Sequence, residues 1–178
     1  MADDKLMRIK LLAMDCDGVL TRGDITYTEL GDESKVLNIL DGLGLSIARR
    51  AGLVTAIVTG RRSEALARRA RELGVAELYQ GCRNKAAAML ELRARYRLQI
   101  DEVAFIGDDI NDLLAFRECG FRIAVSNASE DVKAQADYIT ECSGGTGAVR
   151  EVIERMLRGQ GKWSAGVEAY LRELEQET

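Results

Sequence analysis

The sequence predicts a doubly wound, Rossmann-like α/β domain, on three observations. Short apolar strand patterns alternate with amphipathic helix patterns along the 178 residues. Three of those strands, "IKLLAM" (9–14), "LVTAIV" (53–58) and "EVAFIG" (102–107), are almost continuously apolar, the pattern of parallel strands covered on both faces. Each of the three also runs directly into polar, chemistry-bearing residues, as strands do at the ligand-binding edge of an open α/β sheet.

The elements follow in order. "IKLLAM" is the first buried strand. "GDITYTELGDESKVLNIL" alternates β-branched and polar residues around Gly31-Asp32 and predicts a β-hairpin flap over about 19–39. "DGLGLSIARRAG" is a short helix stopped by Gly52, and "LVTAIV" is the second strand. "RSEALARRARELG" reads as a helix with its basic residues outward, ended by Gly74. "AELYQG" is a short strand, "NKAAAMLELRARYR" a helix, and "EVAFIG" the third apolar strand. "NDLLAFREC" reads as a helix, and "FRIAVS" and "ADYIT" as two short strands. Two helical patterns separated by "GQGK" close the chain. The first repeats Val149, Val152, Ile153, Met156 and Leu157, and the second Trp163, Val167, Tyr170, Leu171 and Leu174. The second follows a completed β/α unit, so its apolar face either folds back on its own core or docks on another subunit. Length and the absence of a linker or repeat predict one domain over 1–178, with a C-terminal helical tail over about 159–178.

Composition removes several functions. The formal charge of −4 argues against a nucleic-acid surface. No apolar run reaches the ~18 residues of a membrane span, and the polar start "MADDKLMRIK" is no signal peptide, so a cytoplasmic protein is expected. Four cysteines (16, 82, 119, 142) lie far apart and no histidine is present, which disfavours a zinc site or a disulfide framework. The missing histidine also excludes Ser-His-Asp and Cys-His catalysts and a phosphohistidine. Acid–base work is left to carboxylates, lysines or tyrosines. The chain also lacks proline, for which its sequence offers no functional reason.

The strand ends supply the candidate site. The first strand ends at Asp15-Cys16-Asp17-Gly18, the second at Thr59-Gly60-Arg61 and the third at Gly107-Asp108-Asp109, with Asn111 and Asp112 just behind. Lys85 opens the helix before the third strand. Side chains two apart on a strand share a face, so Asp15 and Asp17 are expected together. Two carboxylates about 4 Å apart repel by roughly 4 kcal/mol at an effective dielectric near 20, so a cation or a chemical role must offset them. Each piece has a plainer reading: D-x-D as a turn, "GDDIND" as a helix cap, "TGR" as a loop, Lys85 as a solvated side chain. All four at strand ends or helix starts make a functional grouping the better account.

Phosphoryl transfer suits this set. A hard cation such as Mg²⁺ takes oxygen ligands and relieves the repulsion. One aspartate can act as nucleophile, and a second carboxyl two residues away can donate and later accept a proton. Thr59 and Lys85 would hold the phosphoryl oxygens, while Gly18 and Gly60 would let backbone N–H groups approach them.

With "DCDGVL", "TG" at Thr59, Lys85 and "GDDIND" in order, the chain resembles the haloacid dehalogenase superfamily of aspartate-nucleophile phosphatases. The resemblance implies Asp15 as nucleophile and Asp17 as general acid/base. It places Mg²⁺ on the Asp15 carboxylate, the Asp17 backbone carbonyl and the Asp108 carboxylate. Asp109 would be a secondary metal contact, and Asn111 and Asp112 would orient the metal's surroundings. The stretches from Asp17 to Thr59 and from Lys85 to Asp108 are consumed by the elements already assigned, which leaves no room for a cap domain. Over almost its whole length the chain resembles one capless group, the 3-deoxy-D-manno-octulosonate 8-phosphate phosphatases, in "DGLGLSIARRAG", "TGRRSEALARRARELGV", "YQGCRNK", "GDDINDL", "GGTGAVREV" and "GQGKW".

That resemblance implies a sugar-acid phosphate substrate, a step in lipopolysaccharide synthesis, and a homotetramer in which hairpin and C-terminal segment reach a neighbouring site. Arg22, Asn84 and Leu114 depart from the group's usual aspartate, aspartate and proline, and Arg22 bears on specificity because it lies near the expected substrate mouth. Arginine after "TG" resembles the eight-carbon branch, whereas the nine-carbon nonulosonate branch tends to carry glutamate there. The readings from other classes are a phosphoaspartate receiver domain, whose acceptor would stand where this chain has Thr59, and a silent oligomerisation module.

Overall fold

The computed structural model describes residues 5–27, 29 and 33–176. Its centre is a six-stranded sheet of β1 (Leu11–Met14), β4 (Val54–Thr59), β5 (Glu77–Gln80), β6 (Val103–Gly107), β7 (Phe121–Ala124) and β8 (Tyr138–Ile139), in the order β5-β4-β1-β6-β7-β8. Every pairing in it is parallel. β1 lies in the middle, with Leu11 opposite Val54 on one side and Val103 on the other. All four of its residues are buried, which is why it reads as an unbroken apolar run.

From β1 the chain steps outward through α1 (Ile39–Arg50) to β4 and through α2 (Glu64–Leu73) to β5. It then crosses back through α3 (Lys85–Tyr96) to β6 and continues outward the other way to β7 and β8. Right-handed crossovers put the two sets of helices on opposite faces. The reversal falls between β1 and β6, which opens a crevice at their carboxyl ends.

Local chemistry sets the helix ends. The Asn38 side chain accepts from Leu40 N–H at 2.7 Å and Ser63 from Leu66 N–H at 3.3 Å, each taking a donor that the first helical turn leaves unpaired. α2 stops at Gly74, whose φ of 68° is left-handed.

Two elements differ from the sequence expectation. The helix expected over "NDLLAFREC" is a 3₁₀ turn, Ile110–Asp112, followed by a single α-turn, α4 (Leu113–Phe116). The Asp112 carboxylate accepts from Asp108 N–H at 2.9 Å and holds the turn tight. Gly120 then passes so close to Asp101 that an added Cβ would lie 2.6 Å from its Cα, forcing the chain back into the sheet. The flap is also shorter than 19–39. Val19, Leu20 and Thr21 donate to the Cys16 carbonyl in a buried turn, and among the described residues only β2 (Thr26–Tyr27) and β3 (Glu33–Ser34) pair, antiparallel. The expected Gly31-Asp32 turn lies outside the described residues.

After α5 (Glu130–Lys133) and β8, α6 (Ala148–Gly159) buries Val149, Val152, Ile153, Met156 and Leu157 as its periodicity predicts. α7 (Trp163–Gln176) packs in cis against α1. Gly166 allows the approach, since a Cβ there would lie 3.0 Å from Ile47. Trp163 sits between the guanidinium groups of Arg150 (4.8 Å) and Arg158 (5.3 Å), and Arg50 lies 5.0 Å over the Tyr170 ring. No helix among the described residues is long and apolar enough to cross a membrane.

Candidate active site

The crevice between β1 and β6 receives the acidic residues that end both strands. Asp15 N–H donates to the Ile106 carbonyl at 3.0 Å, so the ladder extends one residue past β1 and fixes where the Asp15 side chain leaves the sheet. One carboxylate oxygen of Asp15 accepts from Cys16 N–H at 2.6 Å and the other from Lys85 Nζ at 2.6 Å. Lys85 is 1 % exposed and also donates to Asp112 at 2.5 Å. The first residue of α3 is therefore a buried cation between two buried carboxylates, not a solvated surface lysine. Burial by itself would lower the Lys85 pKa, yet Asp112 and Asp15 raise it above the ordinary value, so its charge is secure.

Carboxylate oxygens of Asp15, Asp108 and Asp112 all lie within 4.8 Å of one another. Burial, then Asp112, push the Asp15 pKa up to about 6 against the opposing pull of Lys85. Asp108 has no lysine or arginine partner among the described residues, and burial together with Asp112 and Asp15 drives its pKa up to about 8. Lys85 pairs directly with Asp15 and Asp112 and acts on Asp108 only at a distance, so Asp108 is the least compensated of the three. An all-oxygen donor set short of positive charge fits a hard divalent cation. Both Asp112 oxygens are already engaged, by Lys85 and by the Asp108 amide, which suits an orienting part better than direct ligation.

Glycine is needed at the first strand end. Gly18 has φ 85°, and a Cβ there would lie 1.9 Å from Asp108 Oδ2. Its N–H donates to the Thr21 hydroxyl at 3.3 Å, so what the structure shows directly is room for Asp108. Behind this loop a second glycine pair closes in. Gly145 N–H donates to the Val19 carbonyl at 2.8 Å, and a Cβ on Gly144 would lie 1.7 Å from the Gly18 oxygen. The "GGTG" segment therefore braces the catalytic loop, a part the sequence motif does not reveal.

The cleft at this place has a volume of about 270 Å³ and is lined by Asp15, Asp17, Gly23, Thr59, Gly60, Arg61, Asp108, Asp109 and Asn111. Larger clefts lie beside the hairpin (about 440 Å³) and across the far end of the sheet (about 410 Å³), but neither reaches the acidic cluster. Asp15 and Asp17 do share the cleft, but each has its own cation. Asp15 is offset by Lys85, and Asp17 by Lys35 of the hairpin. Thr59 is buried, its hydroxyl accepting from Arg61 N–H at 3.3 Å, while Gly60 is exposed at the rim. Asp109 caps the 3₁₀ turn through Ile110 N–H at 2.8 Å, and Asn111 is exposed beside it. Of the expected site residues, Asp15, Asp17, Thr59, Gly60, Arg61, Asp108, Asp109 and Asn111 line this cleft, while Gly18, Lys85 and Asp112 pack against those lining residues. Arg62 packs beside Gly81, and Arg69 lies against Gly42, away from the cleft lining.

Sequence reasoning missed Lys35 and Glu33. Lys35 Nζ contacts Asp17 and lies 2.9 Å from Glu33, and Glu33 accepts from Arg61 at 2.5 Å. The available signal was their spacing of two, which puts both on one side of an extended segment; Glu33 opens β3 and Lys35 follows its end. Cys16 and Cys119 are buried, which pushes their thiols up to about 12, and Cys82 and Cys142 are half-buried.

A capless doubly wound sheet carrying this acidic crevice defines an aspartate-based phosphatase of the haloacid dehalogenase class, and residues 70–153 match the haloacid dehalogenase-like hydrolase family. The 3-deoxy-D-manno-octulosonate 8-phosphate phosphatase of Salmonella typhi is 39% identical over 158 residues, covering 89% of this chain and 84% of the relative. The crystal structure of the enzyme of that name from Moraxella catarrhalis, in complex with magnesium, phosphate and KDO, superposes with a TM-score of 0.90 at 43% identity, over 95% of this chain and 97% of the other. The cobalt-bound Haemophilus influenzae protein gives 0.88 at 36% identity, over 94% and 99%. The chain belongs to the 3-deoxy-D-manno-octulosonate 8-phosphate phosphatase family.

Proposed function

We propose that the protein hydrolyses 3-deoxy-D-manno-octulosonate 8-phosphate to the free sugar acid and phosphate, as a cytoplasmic step in lipopolysaccharide synthesis. The observation that carries the chemistry is the Asp15–Lys85–Asp112 chain beside the less compensated Asp108 carboxylate. The substrate reading draws on the relatives' activity and on Arg61 at the rim of the cleft, a planar cation suited to a carboxylate.

The Asp15 carboxylate attacks phosphorus, the bond to the sugar oxygen breaks, and that oxygen takes a proton from Asp17. Asp17, now a carboxylate, accepts a proton from water as the water attacks the phosphoaspartate, releasing phosphate and restoring Asp15. Lys85 keeps Asp15 ionised and oriented, and Thr59 offers its hydroxyl to the phosphoryl oxygens. Mg²⁺, held by Asp15, Asp108 and the Asp17 backbone carbonyl, would supply the positive charge the cluster lacks and neutralise the transferring phosphoryl group.

The test is kcat/KM for the eight-carbon ester against 9-phosphononulosonates and simple sugar phosphates. A tenfold preference for the eight-carbon ester, about 1.4 kcal/mol of transition-state discrimination, is the expected result. The same preference for a nine-carbon ester would move the substrate to the sialic-acid type and leave the mechanism standing.

Assembly as a homotetramer completes the proposal. Ile25, Tyr27, Val36, Ile39 and Leu40 expose apolar surface on the hairpin and at the start of α1, and the cleft has no cap to shield it.

A further inference from the structure

Asp17 and Arg61 line the cleft, but the charges that hold them do not. Glu33 opens β3 and Lys35 follows its last residue, and neither contributes to the cleft wall. Their side chains are nonetheless 5 % and 16 % exposed, low values for a lysine and a glutamate on a two-stranded flap. Lys35 Nζ contacts Asp17 Oδ1 and lies 2.9 Å from Glu33 Oε1. Glu33 Oε2 accepts from Arg61 Nη2 at 2.5 Å, and Arg61 Nε lies 3.9 Å from Asp17 Oδ2. The four side chains close a ring of alternating charge: Asp17, Lys35, Glu33, Arg61. Tyr27, on the paired strand, stands 3.4 Å from Arg61 Nη2 and ties the ring to the hairpin's other strand.

The geometry leaves the two Asp17 oxygens unequal. Oδ1 is taken by Lys35, whereas Oδ2 has no hydrogen bond among the described residues and faces Arg61 Nε at 3.9 Å. A carboxylate on a short side chain can turn about two bonds, and a fixed partner on one oxygen removes that freedom. Proton transfer needs its heavy atoms within about 2.6–3.2 Å, so this restraint bears on rate.

We infer that Lys35, anchored by Glu33, is a positioning residue that aims the second oxygen of Asp17 at the leaving group, and that the hairpin completes the catalytic machinery of its own subunit. The inference rests on the assignment of Asp17 as the acid in the proposed function. Its signature is a dependence on the leaving group. A sugar alkoxide needs a proton as it departs, whereas p-nitrophenolate departs with little help.

The experiment measures kcat/KM of the full-length Mg²⁺-loaded enzyme on the eight-carbon sugar ester and on p-nitrophenyl phosphate. The variants are Lys35→Met, Lys35→Arg, Glu33→Gln and, as a reference, Asp17→Asn. Lys35→Met should lose at least tenfold on the sugar ester and less than threefold on p-nitrophenyl phosphate. Lys35→Arg should recover most of the loss. Glu33→Gln leaves Lys35 in place but removes its anchor, so it should show the same split at about threefold and serves should the Met variant fail to fold. Equal losses on both esters, no loss on the sugar ester, or a gain on removing Lys35 would each overturn the inference while the Asp17→Asn split persists. Should Asp17→Asn itself show no split, the acid assignment falls and the inference with it.

Discussion

In the proposed mechanism Asp15 is nucleophile and cation ligand at once, which leaves few residues able to replace it. Its two oxygens face Cys16 N–H and Lys85 Nζ. Asp15→Asn keeps the shape but cannot attack phosphorus, and it puts an amide N–H₂ where a lone pair meets a cation. Turnover should fall by several orders of magnitude in a purified sample that melts as the parent does; residual activity within a hundredfold of the parent would place the nucleophile elsewhere. At this scale the site was largely legible in the sequence. Asp15, Thr59 and Asp108 each sit where an apolar strand runs out, and strand ends can be located from a short local pattern. Lys35 was not legible, because its partner Asp17 is distant along the chain and an ion pair between them leaves no mark in the hydropathy of either segment.

At the scale of elements, one ion cluster ties the outer strands together. Asp137, ahead of β8, accepts from Arg122 Nε on β7 at 2.8 Å, from Arg122 N–H at 3.0 Å and from Lys5 at 2.8 Å. Burial would raise its pKa, but the hydrogen bonds from Arg122 and Lys5 win and hold it well below the usual carboxylate range. A depressed folded-state pKa contributes stability that is present above the unfolded value of about 3.9 and is lost as pH falls through the folded value. Asp137→Asn should therefore lower stability at neutral pH by on the order of 2 kcal/mol. The gap between parent and variant should narrow as pH drops below about 4. Thermal melts at pH 7, 5, 4 and 3 read this directly; a gap that stays constant across the series would remove Asp137 as its source. The tail shows the limit of pattern reading. The apolar stripe from Trp163 to Leu174 announces a buried face, but α1 and α6 of the same chain cover only its first part: Gly166 packs on Ile47 and Trp163 lies under Arg150 and Arg158, whereas Leu171 and Leu174 stay exposed.

For the whole molecule, two measurements follow. Chelation with EDTA should abolish phosphatase activity and Mg²⁺ should restore it, because among the described residues Asp15, Asp108 and Asp112 share one protein cation, Lys85. Full activity after exhaustive chelation would refute a metal role. Sedimentation or light scattering should give a mass near four times the 19.6 kDa chain at micromolar concentration, driven by the apolar surface of the hairpin and the start of α1. A species of single-chain mass would sink the assembly, and the open cleft would then have to work without a neighbour's cover.

The sequence by itself determined the parallel sheet, the order of its β/α units and the four strand-end motifs, because burial and strand termination are written in runs of a few adjacent residues. Only the tertiary structure decided that Lys85 is buried between Asp15 and Asp112, that residues 110–116 tighten into short turns, that the tail docks in cis, and that Lys35 and Glu33 join Asp17 and Arg61. Each of those is a pairing across long stretches of chain. A charge or an apolar stripe states that it needs a partner, and only the folded geometry, where distance and burial set the strength of every interaction, says which one it finds.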